Sequence, residues 1–150
     1  MNHLKNIPAF LIAFVLIIAL SSCDKDEKIN IEQLPNAGQF FIKDHFAGQK
    51  VISITKEEEA MEGIEYEARL DNGVAVTFDK DGNWTEVDAP DNVSLPTTFI
   101  LDSIVDYVGS EYPNIGINSI DKVNRGFDVE LTNDVDLEFD RDGKIFKQNW

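Results

Sequence analysis

Residues 66–84 read YEARLDNGVAVTFDKDGNW, and this stretch decides the fold. Apolar residues alternate with polar ones on both sides of Asn72-Gly73, two residue types that readily adopt the positive φ angles of a tight hairpin turn. A period of two predicts antiparallel strands with one buried face and one wet face. Asp81-Gly82 predicts the next turn. The alternating residues are Tyr66, Ala68 and Leu70 before the first turn and Val74, Val76 and Phe78 after it.

The same pattern recurs in the second half of the chain. Residues 127–143 match residues 66–82, and residues 111–122 match residues 45–56. Such self-similarity indicates that one supersecondary unit is used twice. The two matched blocks of a unit are separated by five more residues in the first half than in the second. This difference predicts a loop between Lys56 and Gly63. The predicted strands are 50–56, 66–70, 74–78 and 83–88 in the first unit, and 116–123, 127–131, 135–139 and 144–149 in the second.

Each unit opens with a helix signal. Leu34-Pro35 and Leu95-Pro96 are followed by apolar residues three and four positions apart, a spacing typical of amphipathic helices. Thr97 or Thr98 is a suitable cap for the second helix, so this helix is predicted to be extended at its start. A unit of about 55 residues buries too little surface to be stable alone. We therefore predict an α+β fold of two tandem helix-plus-four-stranded antiparallel meander repeats, forming one eight-stranded sheet with both helices on one face.

The first 22 residues are predicted to be a signal peptide. A segment with one lysine and no acid precedes the uninterrupted apolar run 9–20, which is shorter than the roughly 20 residues that span a membrane. Leu20-Ser21-Ser22-Cys23 resembles the bacterial lipobox, and this implies that Cys23 is lipidated. We therefore expect an exported lipoprotein, anchored in a membrane of the cell envelope.

Four segments follow from these patterns. Residues 1–22 are the signal peptide, residues 23–33 the lipidated cysteine with a flexible tether, and residues 34–89 and 94–150 the two repeats. Lys25-Asp26-Glu27, at the start of the tether, resembles a signal that sends some lipoproteins to the outer cell surface. The sequence therefore leaves two locations open, the periplasmic face and the outer surface.

The net charge of the chain limits the classes of partner that it can bind. There are 28 acidic and 13 basic residues, and removing the signal peptide takes away one base, Lys5, which leaves 12 − 28 = −16. This charge repels nucleic acid and anionic lipid surfaces, so contact with a membrane is expected through the lipid anchor only. Cys23 is the only cysteine, so the chain cannot form an internal disulfide.

The residues needed for common catalytic and zinc sites are missing from the mature sequence. It contains one histidine, His45, whose counterpart in the second unit is Glu111. Nucleophilic triads and zinc sites need more histidine or cysteine than this, and we predict that the protein is not an enzyme. Acid–base chemistry by a carboxylate pair on the sheet is a weaker alternative.

The pattern as a whole resembles a known family. A Leu-Pro start is followed by a helix ending in His45-Phe46-Ala47-Gly48 or Glu111-Tyr112-Pro113-Asn114, and then by the strand and hairpin residues 66–84. This resembles the PepSY-like periplasmic proteins, whose tandem repeats take the fold of the beta-lactamase inhibitor protein, over residues 34–150. The resemblance implies a secreted binding or inhibitory module and carries over no catalytic residue.

The wet face of the sheet is the expected binding site. Its strands carry carboxylates at alternate positions, so we expect a protein or peptide partner of basic character. Tryptophan is enriched at interface hot spots, so we add Trp150, the final residue, to the predicted binding site. The predicted binding residues are Glu65, Glu67, Arg69, Asp128, Glu130, Asp136, Glu138 and Trp150.

Calcium is the alternative ligand, and no other cofactor is predicted. The segments 79–82 and 140–143 both read Asp-x-Asp-Gly, like the start of a calcium loop. Neither continues to the Glu that closes an EF-hand, since Pro90 stands at that place in the first segment. Ordinary hairpin turns explain the same residues. A calcium-responsive acidic module would use Asp79, Asp81, Asp140 and Asp142.

Overall fold

The computed structural model describes residues 26–59 and 63–149, so the signal peptide, Cys23 and Trp150 lie outside the described residues. Within these residues it contains two α-helices, one short 3-10 helix (Ile31–Gln33) and one open antiparallel sheet of nine strands, each paired with its neighbour in sequence. Within the described ranges, no helix is long and apolar enough to cross a membrane. The elements are β1 (Glu27–Ile29), α1 (Asn36–His45), β2 (Val51–Glu59), β3 (Gly63–Leu70), β4 (Ala75–Asp79), β5 (Trp84–Asp88), α2 (Asp102–Glu111), β6 (Ile117–Val123), β7 (Gly126–Leu131), β8 (Asp136–Asp140) and β9 (Ile145–Asn149).

The α+β class is confirmed, but the sheet has nine strands where eight were predicted. The additional strand, β1, lies in the segment 23–33 that was predicted to be a flexible tether. Glu27, Lys28 and Ile29 pair with Lys56, Thr55 and Ile54 of β2. Ile29 and Ile31 pack against the core, and this burial explains why a mostly polar segment adopts a fixed conformation.

The described part of the loop predicted between Lys56 and Gly63, residues 57–59, is strand. β2 continues to Glu59 and β3 begins at Gly63, with Glu57 opposite Glu65 and Glu58 opposite Ile64. The extra residues of the first half therefore lengthen a hairpin. Pairing along the hairpin satisfies backbone groups that a loop would leave to water.

The second helix is not extended at its start. α1 and α2 both contain ten residues, and α2 begins at Asp102 after Leu101. Thr97 and Thr98 lie in a turn in which Ile100 N–H donates to the Thr97 carbonyl. This turn places Ile100 in the core, where it is 6% exposed, and a helix starting at Thr97 would lose that turn.

Both helices cover the same face of the sheet. A row of buried residues runs in register across β3 to β8 on that face. Phe41 of α1 packs edge-on to Phe78, with ring centroids 5.8 Å apart, and Tyr107 of α2 packs likewise on Phe139 at 5.5 Å. The buried row is Ala68, Val76, Val87, Ile120, Val129 and Leu137.

The junction between β5 and β6 depends on one buried amide. These strands pair through only three residues each, 86–88 with 119–121. Beside them, the Nδ2 of Asn118 donates to the carbonyls of Ala89 (3.4 Å), Pro90 and Val93 (both 2.9 Å). Asn118 lies at a break in register between Ile117 and Ser119, and Ile52 lies at the same kind of break in β2. Asn118 is 6% exposed and Ile52 is 65% exposed, because the connection after β5 covers only the former.

Candidate functional site

The face of the sheet opposite the helices is open and acidic. Four carboxylate residues stand directly opposite one another on consecutive strands, where Glu86 pairs with Asp121, Asp121 with Asp128, and Asp128 with Glu138. Adjacent strands lie about 4.8 Å apart, so the four residues extend over about 14 Å across the strands. We call Glu86, Asp121, Asp128 and Glu138 the acidic row.

A shallow depression accompanies the second half of the acidic row. Its volume is ≈ 280 Å³, and a second line of acids at Glu130 and Asp136, which are also opposite each other, forms its other side. The depression is wide and polar, and so fits an extended chain better than an enclosed small molecule. The lining residues are Ser119, Asp121, Asp128, Val129, Glu130, Asp136, Leu137 and Glu138.

Partial burial, and after it the charges of neighbouring acids, raises the pKa values of several of these carboxyls. Partial burial, followed by the charges of Asp121, Asp88 and Glu67, raises the pKa of Glu86 above its ordinary value. Burial and the charge of Asp128 raise the pKa of Asp121 in the same way. Burial and then neighbouring acids, chiefly Asp136, raise the pKa of Glu130. The repulsion is therefore only partly offset within the protein.

The ion pairs at this face lie toward its ends. Arg125 approaches Glu138 to 3.7 Å from a position 78% exposed, and Arg69 contacts Glu67 at 2.8 Å on β3. Exposed pairs of this kind contribute about 0–1 kcal/mol because water screens them. They leave the centre of the face, at Glu86 and Asp121, strongly negative.

The predicted binding residues lie on the open face, but in two separate groups. Glu65, Glu67 and Arg69 are on β3, whereas the others in the described residues are on β7 and β8. Strands β4 to β6 lie between, so the groups are about 19 Å apart. Trp150 is outside the described residues. The second group is Asp128, Glu130, Asp136 and Glu138.

Sequence reasoning missed Glu86 and Asp121, which join the two groups. Each alternates with a core residue, Val87 and Ile120 respectively, so the period-two signal was present. Their juxtaposition depends on β5 pairing with β6 across the connection that contains α2. Assuming one continuous sheet, and aligning the buried Val87 with Ile120, would have placed them together.

The turn aspartates named as calcium ligands close the hairpins in which they lie. One oxygen of Asp79, Oδ1, accepts the backbone N–H groups of Asp81 and Asn83, both at 2.9 Å. Asp140 accepts those of Asp142 and Lys144 in the same geometry. Burial acts to raise the pKa of Asp79, but its hydrogen bonds with Asn83, Asp81 and Gly82 lower it overall. No group of three or more potential metal-binding side chains occurs in the part of the chain that the structure describes.

His45 belongs to an aromatic cluster on the helix side of the sheet. Its ring packs on Phe41 and Phe99, at centroid distances of 4.7 and 5.5 Å, and its Nδ1 lies 2.8 Å from the Thr98 hydroxyl. Trp84 joins the same cluster, and Lys122 Nζ lies 3.6 Å from the centre of its ring. His45 therefore connects α1 to the turn before α2.

Mild acidification is expected to stabilise the protein. In the folded state the pKa values of Glu86 and Asp121 lie above the ordinary 4.5 and 3.8, so folded molecules keep protons that unfolded ones release. The free energy of unfolding should therefore rise as the pH falls through these raised pKa values, and the gain is complete below the ordinary ones. Melting temperature measured between neutral pH and pH about 4.5 tests this.

Variants that replace the carboxylates by uncharged amides test whether the open face causes this stabilisation at low pH. Glu86→Gln and Asp121→Asn should each raise the melting temperature at neutral pH and flatten its dependence on pH. Asp106→Asn removes an exposed acid from α2 and should leave the slope unchanged. A wild-type melting temperature that falls throughout the same pH range would contradict the prediction.

Three solved structures that resemble this chain are named as periplasmic proteins of Bacteroides, each with the qualifier "putative". It is 34% identical to a "putative calcium-regulated periplasmic protein" of Bacteroides thetaiotaomicron, with a TM-score of 0.78 over 83% of this chain and 97% of that one. Two proteins of Bacteroides vulgatus, each named a "putative periplasmic protein", are 28% and 31% identical to it. Both have TM-scores of 0.77, over 84% and 85% of this chain and 100% and 98% of theirs. No curated protein matches.

A family model agrees with these structures and confirms the predicted resemblance. The model described as "Putative beta-lactamase-inhibitor-like, PepSY-like" matches residues 21–76 and again residues 64–147. Neither this description nor the names of the three relatives is that of an enzyme. Together the two matches extend over nearly all of the described residues, and the chain therefore belongs to the PepSY-like family.

Proposed function

We propose that the chain is a non-enzymatic lipoprotein of the cell envelope, built from two tandem repeats and anchored through Cys23, whose open sheet face binds a basic protein or peptide. The similarity to periplasmic proteins supports export. The single observation that carries the binding role is the acidic row, Glu86, Asp121, Asp128 and Glu138.

The acidic row costs the isolated protein stability. Like charges directly opposite on neighbouring strands are destabilising. Solubility alone needs charges on the open face, but alternating signs would serve it equally well. A cationic partner would relieve the repulsion on binding, so charges that weaken the free protein would favour the complex.

The shape of the acidic row favours an extended basic segment. The row is about 14 Å long, which exceeds the coordination sphere of one metal ion but matches several residues of extended chain. Such a segment can lie across the strands and place lysine or arginine side chains beside successive carboxylates. Binding of this kind is expected to weaken as salt is added.

A lysine-rich peptide tests the proposed binding. Calorimetric titration should give saturable binding at low salt, and the double variant Asp121→Asn with Asp128→Asn should weaken it at least about tenfold, since close charge pairs contribute on the order of 1.5 kcal/mol or more each. The matched control, Asp106→Asn with Glu111→Gln, removes the same charge from the exposed surface of α2. Equal losses in both variants would show attraction to net charge alone and count against a site on this face.

Calcium is the second candidate, favoured by the name of the B. thetaiotaomicron relative, which describes that protein as calcium-regulated. We propose for this chain a response to calcium through the turn aspartates Asp79, Asp81, Asp140 and Asp142. Oxygen ligands of this kind suit a hard cation. Asp79 and Asp140 already accept backbone N–H groups, and Asp79 also accepts the Asn83 side-chain amide through both oxygens. Both oxygens of Asp81 accept the Lys80 ammonium, so calcium would compete with these donors for the carboxylate lone pairs.

Thermal melting in millimolar calcium tests this candidate. Specific binding should raise the melting temperature by several degrees above that in magnesium or in salt of equal ionic strength. Asp81→Asn with Asp142→Asn should abolish the rise if the turns bind the ion, while these changes leave the carboxylates that close the hairpins intact. If Asp121→Asn with Asp128→Asn abolishes it instead, the acidic row is the site. No rise in the wild type would exclude calcium.

A further inference from the structure

We infer that the edge of the sheet formed by β1 is the membrane-facing surface of the protein, so that the sheet stands edge-on to the bilayer. This inference rests on the lipid anchor proposed at Cys23. The partner surface is the headgroup layer of the membrane that holds the anchor. The open face with the acidic row would then stand upright, accessible from the side.

The length of chain between the anchor and the sheet gives the first argument. β1 begins at Glu27, four residues after Cys23. An extended chain advances at most about 3.6 Å per residue, so Glu27 lies within about 14 Å of the lipidated residue whatever the conformation between them. The start of β1 therefore stays too close to the membrane for another folded domain to lie between them.

The position of β1 in the sheet gives the second argument. It is the first strand in the spatial order and β9 is the last, eight strand spacings away. At about 4.8 Å per spacing the two edges are about 38 Å apart. The short tether therefore keeps the start of β1 near the membrane, and the width of the sheet allows the β9 edge to stand far from it.

The charges of the two broad surfaces favour the edge-on arrangement. The open face carries the acidic row, and α2 presents Asp102, Asp106 and Glu111 to solvent on the other side. Either surface would be repelled by an anionic leaflet. The β1 edge, in contrast, exposes Lys28 and also Ile52, whose side chain is 65% exposed beside a groove of ≈ 340 Å³. Asp26, Glu27 and Glu32 are exposed at this edge as well, so charge alone does not select it and the tether is the main determinant of the orientation.

Two matched lysines allow a direct test. Lys28 is exposed on β1 and Lys144 is exposed just before β9. The full chain is produced in its lipidated form as Lys28→Cys or Lys144→Cys. Acylation of Cys23 leaves only the new thiol for labelling with a fluorophore. The proteins are reconstituted in vesicles of phosphatidylethanolamine and phosphatidylglycerol that carry a short-range nitroxide quencher on their headgroups.

The label at residue 28 is expected to be quenched several-fold more than the label at residue 144. The label in Glu32→Cys, beside the same edge but outside β1, should be quenched like the label in Lys28→Cys. This control shows that the result does not come from a local disturbance of β1 by the label. A flexible insert of about ten Gly and Ser residues after Cys23 should reduce quenching at residue 28. Equal quenching at residues 28 and 144 would overturn the edge-on arrangement.

Flotation of the same vesicles tests the lipid anchor independently of the orientation of the sheet. The wild type should float with the vesicles and Cys23→Ser should not. If the wild type floats but the labels in Lys28→Cys and Lys144→Cys are quenched equally, only the edge-on arrangement is refuted. If the wild type fails to float, the proposed lipid anchor at Cys23 is wrong. The edge-on arrangement, which rests on that anchor, is then refuted as well.

Discussion

Replacement of Phe78 by alanine is expected to lower the free energy of unfolding by about 3–5 kcal/mol, a large share of the total for a domain of this size. The Phe78 side chain is fully buried and packs edge-on to Phe41 of α1. A Cβ atom added at Gly38, also in α1, would lie only 3.3 Å from the Phe78 ring. The backbone of the helix therefore packs directly on this ring. Removing the ring leaves a cavity between helix and sheet, measurable by denaturant unfolding.

A matched control separates this effect from the loss of any aromatic ring. Phe40, the neighbour of Phe41 on α1, is 60% exposed. Phe40→Ala should change the free energy of unfolding by no more than about 0.5 kcal/mol, since alanine also favours a helix. A loss in Phe78→Ala no larger than in Phe40→Ala would mean that α1 does not depend on the sheet for its stability.

Replacement of Asn118 by aspartate is expected to cost at least about 3 kcal/mol at neutral pH. The two side chains have nearly the same shape, but aspartate removes the donors that reach the carbonyls of Ala89, Pro90 and Val93. It also places a buried negative charge against those carbonyl oxygens. Acidification should restore part of the loss, because a protonated aspartate can donate one hydrogen bond.

The control for this variant is Asn133→Asp. Asn133 lies exposed in the turn between β7 and β8, so the same chemical change there should alter stability by less than about 0.5 kcal/mol. Asn118→Asp should also loosen the pairing of β5 with β6, visible as faster amide exchange at Val87 and Ile120. A stability close to that of the wild type would show that the connection after β5 is held by its backbone alone.

Local chemistry made most of the fold predictable. The helix signals after Leu34 and Leu95, and the turns at Gly73 and Gly82, act within a few residues, and the structure has helices and hairpins near those places. β1 was missed because Glu27 and Lys28 have no pattern of their own and depend on β2 for pairing.

The positions of Asn118 and Ile52 show why the rest was harder to predict. Both lie at a break in strand register, yet one is a buried donor and the other an exposed edge residue. The difference arises from the connection after β5, which covers one break and has no equivalent over the other. The acidic row has the same origin, since Glu86 and Asp121 meet only through the pairing of β5 with β6.

The sequential order of the strands has a consequence for how the chain acquires its structure. Every strand pairs with the strand just before it, and the widest separation in the register, between Glu86 and Asp121, is 121 − 86 = 35 residues. A chain that leaves an export channel N-terminus first can therefore add each strand to an edge that already exists. Folding of this kind does not wait for distant segments, and it shortens the time during which unpaired strands are open to aggregation.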